Sequence, residues 1–423
     1  MASTANDAPP RTELPAARTA PTHSGTTNVG EDAAVLVDDA QAVAVARELA
    51  TEFAAGAAER DACRRPPTAE LARLSASGLL GVTVPAAFGG ADVSAQTFAE
   101  VVRLLATGDP NIAQIPQSHF VYVNVLRQQG TEQQQRFFFS EILAGRRFGN
   151  AQSEAGTRHV QDYRTRLTAD GDGYLLTGVK HYSTGALYAH WIPVLARGDD
   201  EQLYVAYLPA GAPGLTVHDD WNGMGQRTTA SGTVELDRVR VPADRVVPHH
   251  LTFTGPQLHG AYAQLIHTAI DAGIARAALD ETGEFVRTKT RPWAESGVDR
   301  AADDPLLIQR FGELTVQVRA AEALLAEAGR AIDAARVGLT DDSAAAASIA
   351  VAVAKAVADR AAIEVTSALF ELGGTRSSLD PLNLHRHWRN ARTHTLHDPV
   401  RWKLQHIGRY ELNGTRPPRH GLI

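Results

Sequence analysis

The stretch from Tyr163 to Ser183, YRTRLTADGDGYLLTGVKHYS, alternates short β-branched and aromatic runs with Asp and Gly turn residues. That pattern predicts paired strands with a tight connection. Further runs of the same kind follow: HWIPVLARG (190–198), EQLYVAYLP (201–209), GLTVHDD (214–220) and GTVELDRVRVP (232–242). Together they predict a compact antiparallel β region that begins near Phe148 and ends near Pro248.

Outward from this region on both sides, the period changes from two to about 3.6. Upstream, AQAVAVARELATEFAAGAAERDA (40–62), TAELARLSASGLLGV (68–82), SAQTFAEVVRLLATGD (94–109) and AQIPQSHFVYVNVLRQQG (113–130) space apolar residues by three and four. Pro85 and the Gly89, Gly90 pair interrupt them. Downstream, helical spacing resumes near Gln257. It runs through LLIQRFGELTVQVRAAEALLAEAGRAIDAA (306–335) and an Ala-rich run from Ser343 to Leu372, with Gly373 and Gly374 where a C-terminal cap belongs. The expected class is α+β: a helical region over 39–146, a β domain over 147–250 and a helical region over 251–423. Residues 1–38, rich in Pro, Thr and Ala, read as a disordered tail. The Ala-rich run is apolar over so much of its circumference that it predicts burial on several sides or at a subunit interface.

Composition narrows the function classes. With 423 residues and 44% hydrophobic content, the chain can bury a large core. A net charge of −7 and no dense Lys/Arg stripe argue against nucleic-acid binding. Cys63 is the single cysteine, which excludes an internal disulfide or a cysteine-based metal cluster and fits a reducing cytoplasm. No apolar run is long enough to predict a membrane span. No GxGxxG or Walker string follows a predicted strand, so a nicotinamide or P-loop site has no support.

Five strings carry a likeness beyond this pattern: GLLGVTVPAAFGG (78–90), NAQSEAG (150–156), GVKHYSTGA (178–186), WNGMGQRTTASGTVELDRVRVP (221–242) and LFELGGTRSS (369–378). In this order the chain resembles the acyl-CoA dehydrogenase superfamily from about residue 40 to the end. IPQSHFVYV (115–123), RTKTRPWAESGVDRAADDP (287–305) and above all HRHWRNARTHTLHDPVRWK (385–403) resemble one branch of it, the reduced-flavin monooxygenases related to dibenzothiophene monooxygenase and the sulfur-acquisition oxidoreductases. The resemblance implies a flavin held between the β domain and the C-terminal helices, usually in a homotetramer.

Dehydrogenases of this superfamily carry a glutamate base shortly after an Arg-Asp-Ala string. Here Arg389, Asn390 and Ala391 are followed by Leu396, His397, Asp398 and Pro399. The glutamate is absent. One alignment puts His397 in the site, suited to hydrogen-bonding a flavin C4a-hydroperoxide and exchanging protons near neutral pH. The other, one residue along, puts Asp398 there as a shorter carboxylate base. His394, three residues before His397, is its expected partner or a pocket wall. A metal at His394, His397 and Asp398 is disfavoured because no second ligand motif completes it.

The resemblance assigns further roles. His119 lies on a predicted helix over the flavin-side cavity, where it would steady a peroxide or pack as a core histidine. Strand alternation puts Tyr182 and Thr184 on one face and Ser183 on the other. The family places an aromatic at Tyr182 on the flavin ring and a hydroxyl at Thr184 at its N5/C4 edge, with Ser183 as the substitute if the register slips. Asn150, Gln152 and Ser153 match the loop at the flavin pyrimidine edge, and Trp221 would cover the ring or the substrate. Arg291 and Arg376 match arginines brought to the flavin phosphate, often across a subunit interface, while Gln309 matches a family glutamine. No metal is expected.

The implied activity is monooxygenation of a small, organosulfur substrate with oxygen and reduced FMN supplied by a separate flavin reductase. Two other readings stand beside it. One is an acyl-CoA dehydrogenase using FAD, with Asp398 as base; the other is an inactive flavin-fold binding module.

Overall fold

Asp38 starts the first helix by accepting the backbone N–H of Gln41, a side-chain cap that satisfies one orphan donor. In the computed structural model, which describes residues 33–423, seven helices occupy the N-terminal region. They are α1 (Asp39–Ala54), α2 (Ala57–Cys63), α3 (Thr68–Ala76), α4 (Ala95–Gly108), α5 (Pro110–Gln114), α6 (Gln117–Gln129) and α7 (Glu132–Leu143). Of the expected disordered tail, residues 1–32 lie outside the described part. Ala33 to Asp38 depart from the expectation: Ala33 and Leu36 are buried, and the Ala34 N–H reaches the Ala76 carbonyl.

The middle of the chain forms one seven-stranded sheet of β1 (Arg166–Asp170), β2 (Gly173–Lys180), β3 (Trp191–Gly198), β4 (Leu203–Pro209), β5 (Leu215–Val217), β6 (Val234–Pro242) and β7 (Val246–Val247), in the order β5-β6-β2-β1-β3-β4-β7. It is mixed rather than antiparallel. β1 and β2 form the predicted hairpin, with Arg166 opposite Thr177. After β2 the chain passes through the 181–190 loop and re-enters beside β1 in the same direction, so that Arg166 pairs with Arg197 in a parallel ladder. Such a return needs a crossover longer than a hairpin turn, and this loop supplies it.

Five helices complete the chain: α8 (His259–Thr288), α9 (Pro305–Val337), α10 (Asp341–Gly373), α11 (His385–His394) and α12 (Val400–Asn413). α10, the Ala-rich run, is buried on several sides within the chain, where it packs against α8, α9, α11 and α12. The two helical regions, separated by the sheet in sequence, share one core. Phe53, Phe98, Val102 and Leu105 from the first pack with Ile266, Ile270, Leu325 and Val351 from the second. A second cluster, including Phe138, Phe148, Val205 and Tyr207, joins α6 and α7 to the sheet. No helix among the described residues is long and apolar enough to cross a membrane.

Candidate active site

The N-terminal half of helix α8 carries a buried polar row of Gln264, His267, Thr268 and Asp271, spaced to share one face. His267 and Asp271 meet His394 at the end of α11. His394 Nδ1 donates to Asp271 Oδ1 at 2.6 Å, and its Nε2 lies 3.1 Å from His267 Nδ1 and 3.2 Å from Gln114 Oε1 on α5. Asp271 Oδ2 in turn accepts from Lys355 Nζ at 2.9 Å, and Lys355 also donates to Asp359 one helical turn along α10. All of these groups are buried.

His397 sits one turn past the end of α11, where its backbone N–H reaches the His394 carbonyl. Its ring lies against that of His267, centroids 3.7 Å apart, while its side chain stays 39% exposed. The expected partnership of His394 and His397 is therefore indirect, with His267 between them. Asp398 points the other way. It is buried, with Oδ1 3.4 Å from His397 Nδ1 and Oδ2 2.9 Å from Lys403 Nζ. Burial alone would raise its carboxyl, but the hydrogen bond from His397 and the Lys403 ammonium overcome this and hold it well below the usual carboxylate range. Among the described residues, no group of three or more His, Cys, Asp or Glu is arranged to hold a metal ion.

The α5 turn connects this cluster to two loops of the sheet. Gln114 touches His394, and a Cβ on Gly185 would come 3.0 Å from the neighbouring Ile115 carbonyl oxygen. Around Gly185 the predicted alternation fails. β2 ends at Lys180, and Tyr182 takes a positive φ of 56°, so the chain no longer reverses faces at each residue. Tyr182 is 61% exposed, whereas Ser183 and Thr184 are both buried. Thr184 Oγ1 joins a hydroxyl chain through Ser231 Oγ at 2.7 Å to Thr229 Oγ1 at 2.7 Å.

The loop from Trp221 to Thr233 closes the other side. Arg64 donates to the Trp221 and Gly223 carbonyls, Arg389 donates to Met224, and Asn390 Oδ1 accepts the Gln226 N–H at 2.7 Å. A Cβ on Gly225 would fall 1.9 Å from the Arg389 carbonyl oxygen, so only glycine lets the loop lie on α11. Gln226 and Ala230, like Tyr182, have positive φ, a concentration of backbone strain of the kind that gathers at functional sites. Here too are buried polar atoms without partners: Ser183 Oγ, Thr228 Oγ1, Thr393 Oγ1 and both ends of the Gln226 amide. Buried donors and acceptors are seldom left so, and several in one place mark where a polar ligand belongs.

Other expected residues divide. Asn150 reaches the same loop, its Nδ2 donating to the Tyr182 carbonyl at 3.3 Å. Ser153 offers its carbonyl to the His181 N–H, and Gln152 offers its own to the buried Lys180 Nζ at 3.1 Å. The Trp221 ring stands edge-on to Tyr182 with centroids 6.4 Å apart, and its N–H donates to the Gln226 carbonyl. His119 is committed elsewhere: its Nε2–H donates to the Leu80 carbonyl and its Nδ1 accepts the Phe148 N–H, which leaves neither ring nitrogen free. Arg291 and Arg376 are exposed beyond the far end of α8 and α10. From His267 to that end of α8 is about 30 Å at 1.5 Å per residue, so within one chain they do not meet the site. Gln309 is also exposed and bonds Glu313.

Sequence reading passed over His267, Asp271, Lys355, Asp359, Lys403 and Gln114. A signal was present for most of them: ionisable residues standing inside helical stretches that are otherwise apolar seldom occur without a partner.

Comparison with known proteins agrees with the fold and the strings. Family profiles described as the acyl-CoA dehydrogenase N-terminal, middle and C-terminal domains match residues 38–146, 148–239 and 265–402. A dibenzothiophene monooxygenase of Rhodococcus erythropolis is 34% identical over 90% of this chain and 95% of its own length. A protein of Pseudomonas putida named "Probable FMNH2-dependent monooxygenase SfnC" is 34% identical over 89% of this chain and 96% of its own. The crystal structure of FMN-bound TdsC from Paenibacillus sp. A11-2 superposes with a TM-score of 0.86 at 31% identity, over 90% of this chain and all of the other. With three domain profiles matched in order and relatives at this identity along nearly their whole length, the chain belongs to the acyl-CoA dehydrogenase family.

Proposed function

We propose that the protein is a flavin-dependent monooxygenase that receives reduced FMN from a separate flavin reductase and transfers one oxygen atom of O2 to a small organosulfur substrate. The observation that carries this reading is the state of Asp398. Clamped by Lys403 and His397 and held ionised far below neutral pH, it is a poor base for removing a proton from carbon. Beside it, the half-exposed imidazole of His397 is the titratable group that faces outward. The names of the relatives point to the same chemistry.

The residues fit an FMN. The unpartnered Ser183, Gln226, Thr228 and Thr393 atoms include both donors and acceptors, as the mixed edge of an isoalloxazine requires. Tyr182 and Trp221 offer aromatic surface beside them. Bound reduced FMN would supply the electrons that reduce one oxygen atom to water while the other passes to substrate. Thr184 and His397 would orient the oxygen and hold a proton near it, and the hydroxyl chain through Ser231 and Thr229 would fix Thr184. Arg291 and Arg376 would hold the phosphate of a flavin bound mainly by a partner subunit within the proposed homotetramer. A single free cysteine, Cys63, supports a cytoplasmic setting.

The test uses protein loaded with reduced FMN, an aryl thioether and 18O2. Mass spectrometry should find 18O in the sulfoxide. Bleaching of the oxidised flavoprotein by acyl-CoA, without labelled sulfoxide, would establish the dehydrogenase reading instead. Failure to bind any flavin would favour the binding module.

A further inference from the structure

Helix α6 serves two sides of the molecule. On one, Tyr122 Oη donates to Asn150 Oδ1 at 3.4 Å, toward the loop that holds Tyr182. Asn124, two residues on and about 200° further around the helix at 3.6 residues per turn, lines a cavity of about 480 Å³. The C-terminal turns of α6, the segment that leads from the sheet to α8, the first turn of α8 and the end of α9 enclose this cavity. One wall is Tyr262, whose ring stacks on Phe98 with centroids 5.0 Å apart, and Phe120 stands edge-on to Phe98 at 4.8 Å. No residue of the 221–233 loop or of the histidine cluster lines it.

Three of the lining side chains carry buried polar atoms without a partner among the described residues: Thr83 Oγ1, Thr252 Oγ1 and Asn124 Nδ2. Thr252 is 3% exposed and Thr83 5%. Thr83 Oγ1 has the Tyr262 hydroxyl for a neighbour but no hydrogen bond of good geometry. Asn124 Oδ1 accepts from Gln128 Nε2, which leaves the amide nitrogen as the free end. All three atoms can donate, and buried donors are seldom left so.

The charged groups on the wall have one sign. Arg127 and Arg336 line the cavity, and no carboxylate does. Both donate to the same oxygen, Asp92 Oδ1, at 2.8 and 3.2 Å. The other carboxylate nearby, Asp333, lies 3.8 Å from Arg336 and accepts the Ala95 and Gln96 N–H groups at the start of α4. Arg127 bonds Asp92 and the Thr83 carbonyl through Nη1 alone, so the rest of its guanidinium fork is open to an oxyanion. Apolar surface adjoins these cations: Val93, Leu258 and Ile332 line the cavity, as do Leu251 and Leu339, which are exposed.

We propose that this cavity is a second ligand site, distinct from the candidate active site, for a small organic anion with an aromatic body and a carboxylate or sulfonate head. The head takes the donors of Arg127, Arg336, Thr252 and Asn124, and the body lies on Leu251, Leu258 and Leu339. A concave, largely apolar wall with a few convergent polar groups is the usual form of a small-molecule site, and the volume is in the usual range. A bound anion would tie the connection between the sheet and α8 to both α6 and α9.

The experiment titrates FMN-loaded protein with 2-naphthalenesulfonate by calorimetry, with the uncharged 2-naphthalenesulfonamide as control. The sulfonate should bind, and Arg336→Gln and Thr252→Val should each weaken it by about tenfold or more, as loss of a hydrogen bond to a charged group requires. The sulfonamide should bind wild type at least about tenfold more weakly than the sulfonate does, by the same measure, and should not distinguish wild type from Arg336→Gln. Crystals soaked in 6-bromo-2-naphthalenesulfonate should show the bromine by anomalous scattering between α6, Leu251 and the end of α9. No binding of the sulfonate, equal affinity for the sulfonamide, unchanged affinity in both variants, or bromine found only elsewhere would each overturn the site. If Arg336→Gln does not fold, Thr252→Val and the bromine position decide.

Discussion

Lys403 Nζ lies 2.9 Å from Asp398 Oδ2, and both side chains are withdrawn from solvent. The pair joins α12 to the turn that presents His397. Removing one partner leaves the other charged and buried, so Asp398→Asn should cost about 3–5 kcal/mol in urea unfolding. A loss below about 1 kcal/mol would mean that the pair is more hydrated than its burial indicates.

Gly225 is the point where the 221–233 loop touches α11. In Gly225→Ala the new methyl would meet the Arg389 carbonyl and the loop must lift. FMN affinity should fall at least tenfold, about 1.4 kcal/mol, in a fluorescence titration. The far-UV spectrum should be unchanged, because the loop lifts off the surface of α11 without unwinding the helix.

Arg291 and Arg376 are exposed and remote from their own chain's His267. A charged hydrogen bond to phosphate contributes about 1.5–3 kcal/mol, so Arg291→Ala and Arg376→Ala should each weaken FMN binding about 10- to 100-fold. Riboflavin, which lacks the phosphate, should be bound equally by wild type and variants. Equal losses for both ligands would assign the arginines to subunit contact alone.

His119 is held neutral in the interior, its pKa pushed down to about 4 mainly by burial. A group depressed from 6.5 in the unfolded chain stabilises the fold above 6.5, and that contribution is lost as pH falls toward 4. Thermal unfolding should show this acid loss. His119→Ala should flatten part of it while costing about 3 kcal/mol at pH 7 through two orphaned backbone groups, Leu80 O and Phe148 N–H.

The helix–sheet–helix order was legible because hydrophobic period is a local property, and residues 40–62 or 232–242 declare theirs without reference to the rest. The parallel β1–β3 pair was not, since which strands adjoin depends on the path of a loop rather than on strand composition. The expectation for Thr184 rests on a partly mistaken reason. Alternation was extended through Tyr182, where a left-handed backbone ends it. The string around His397 points to one face of the candidate site, but the ion pairs behind it span from Asp271 to Lys355 and from Asp398 to Lys403, and the first of these is a separation that no local motif records. His119 shows the converse, a motif histidine whose two nitrogens serve the backbone.

The shared core of α1–α4 with α8–α10 bears on how the chain is made. Leu143 ends the first helical region, and its apolar partners finish only at Gly373. At about 5–20 residues per second of synthesis, the first region waits some tens of seconds with Phe98, Val102 and Leu105 uncovered. The sheet between them can close meanwhile on its own core. The emerging protein thus has a folded centre and an unfinished flank, and that flank is where a chaperone would bind and where premature termination would expose adhesive surface.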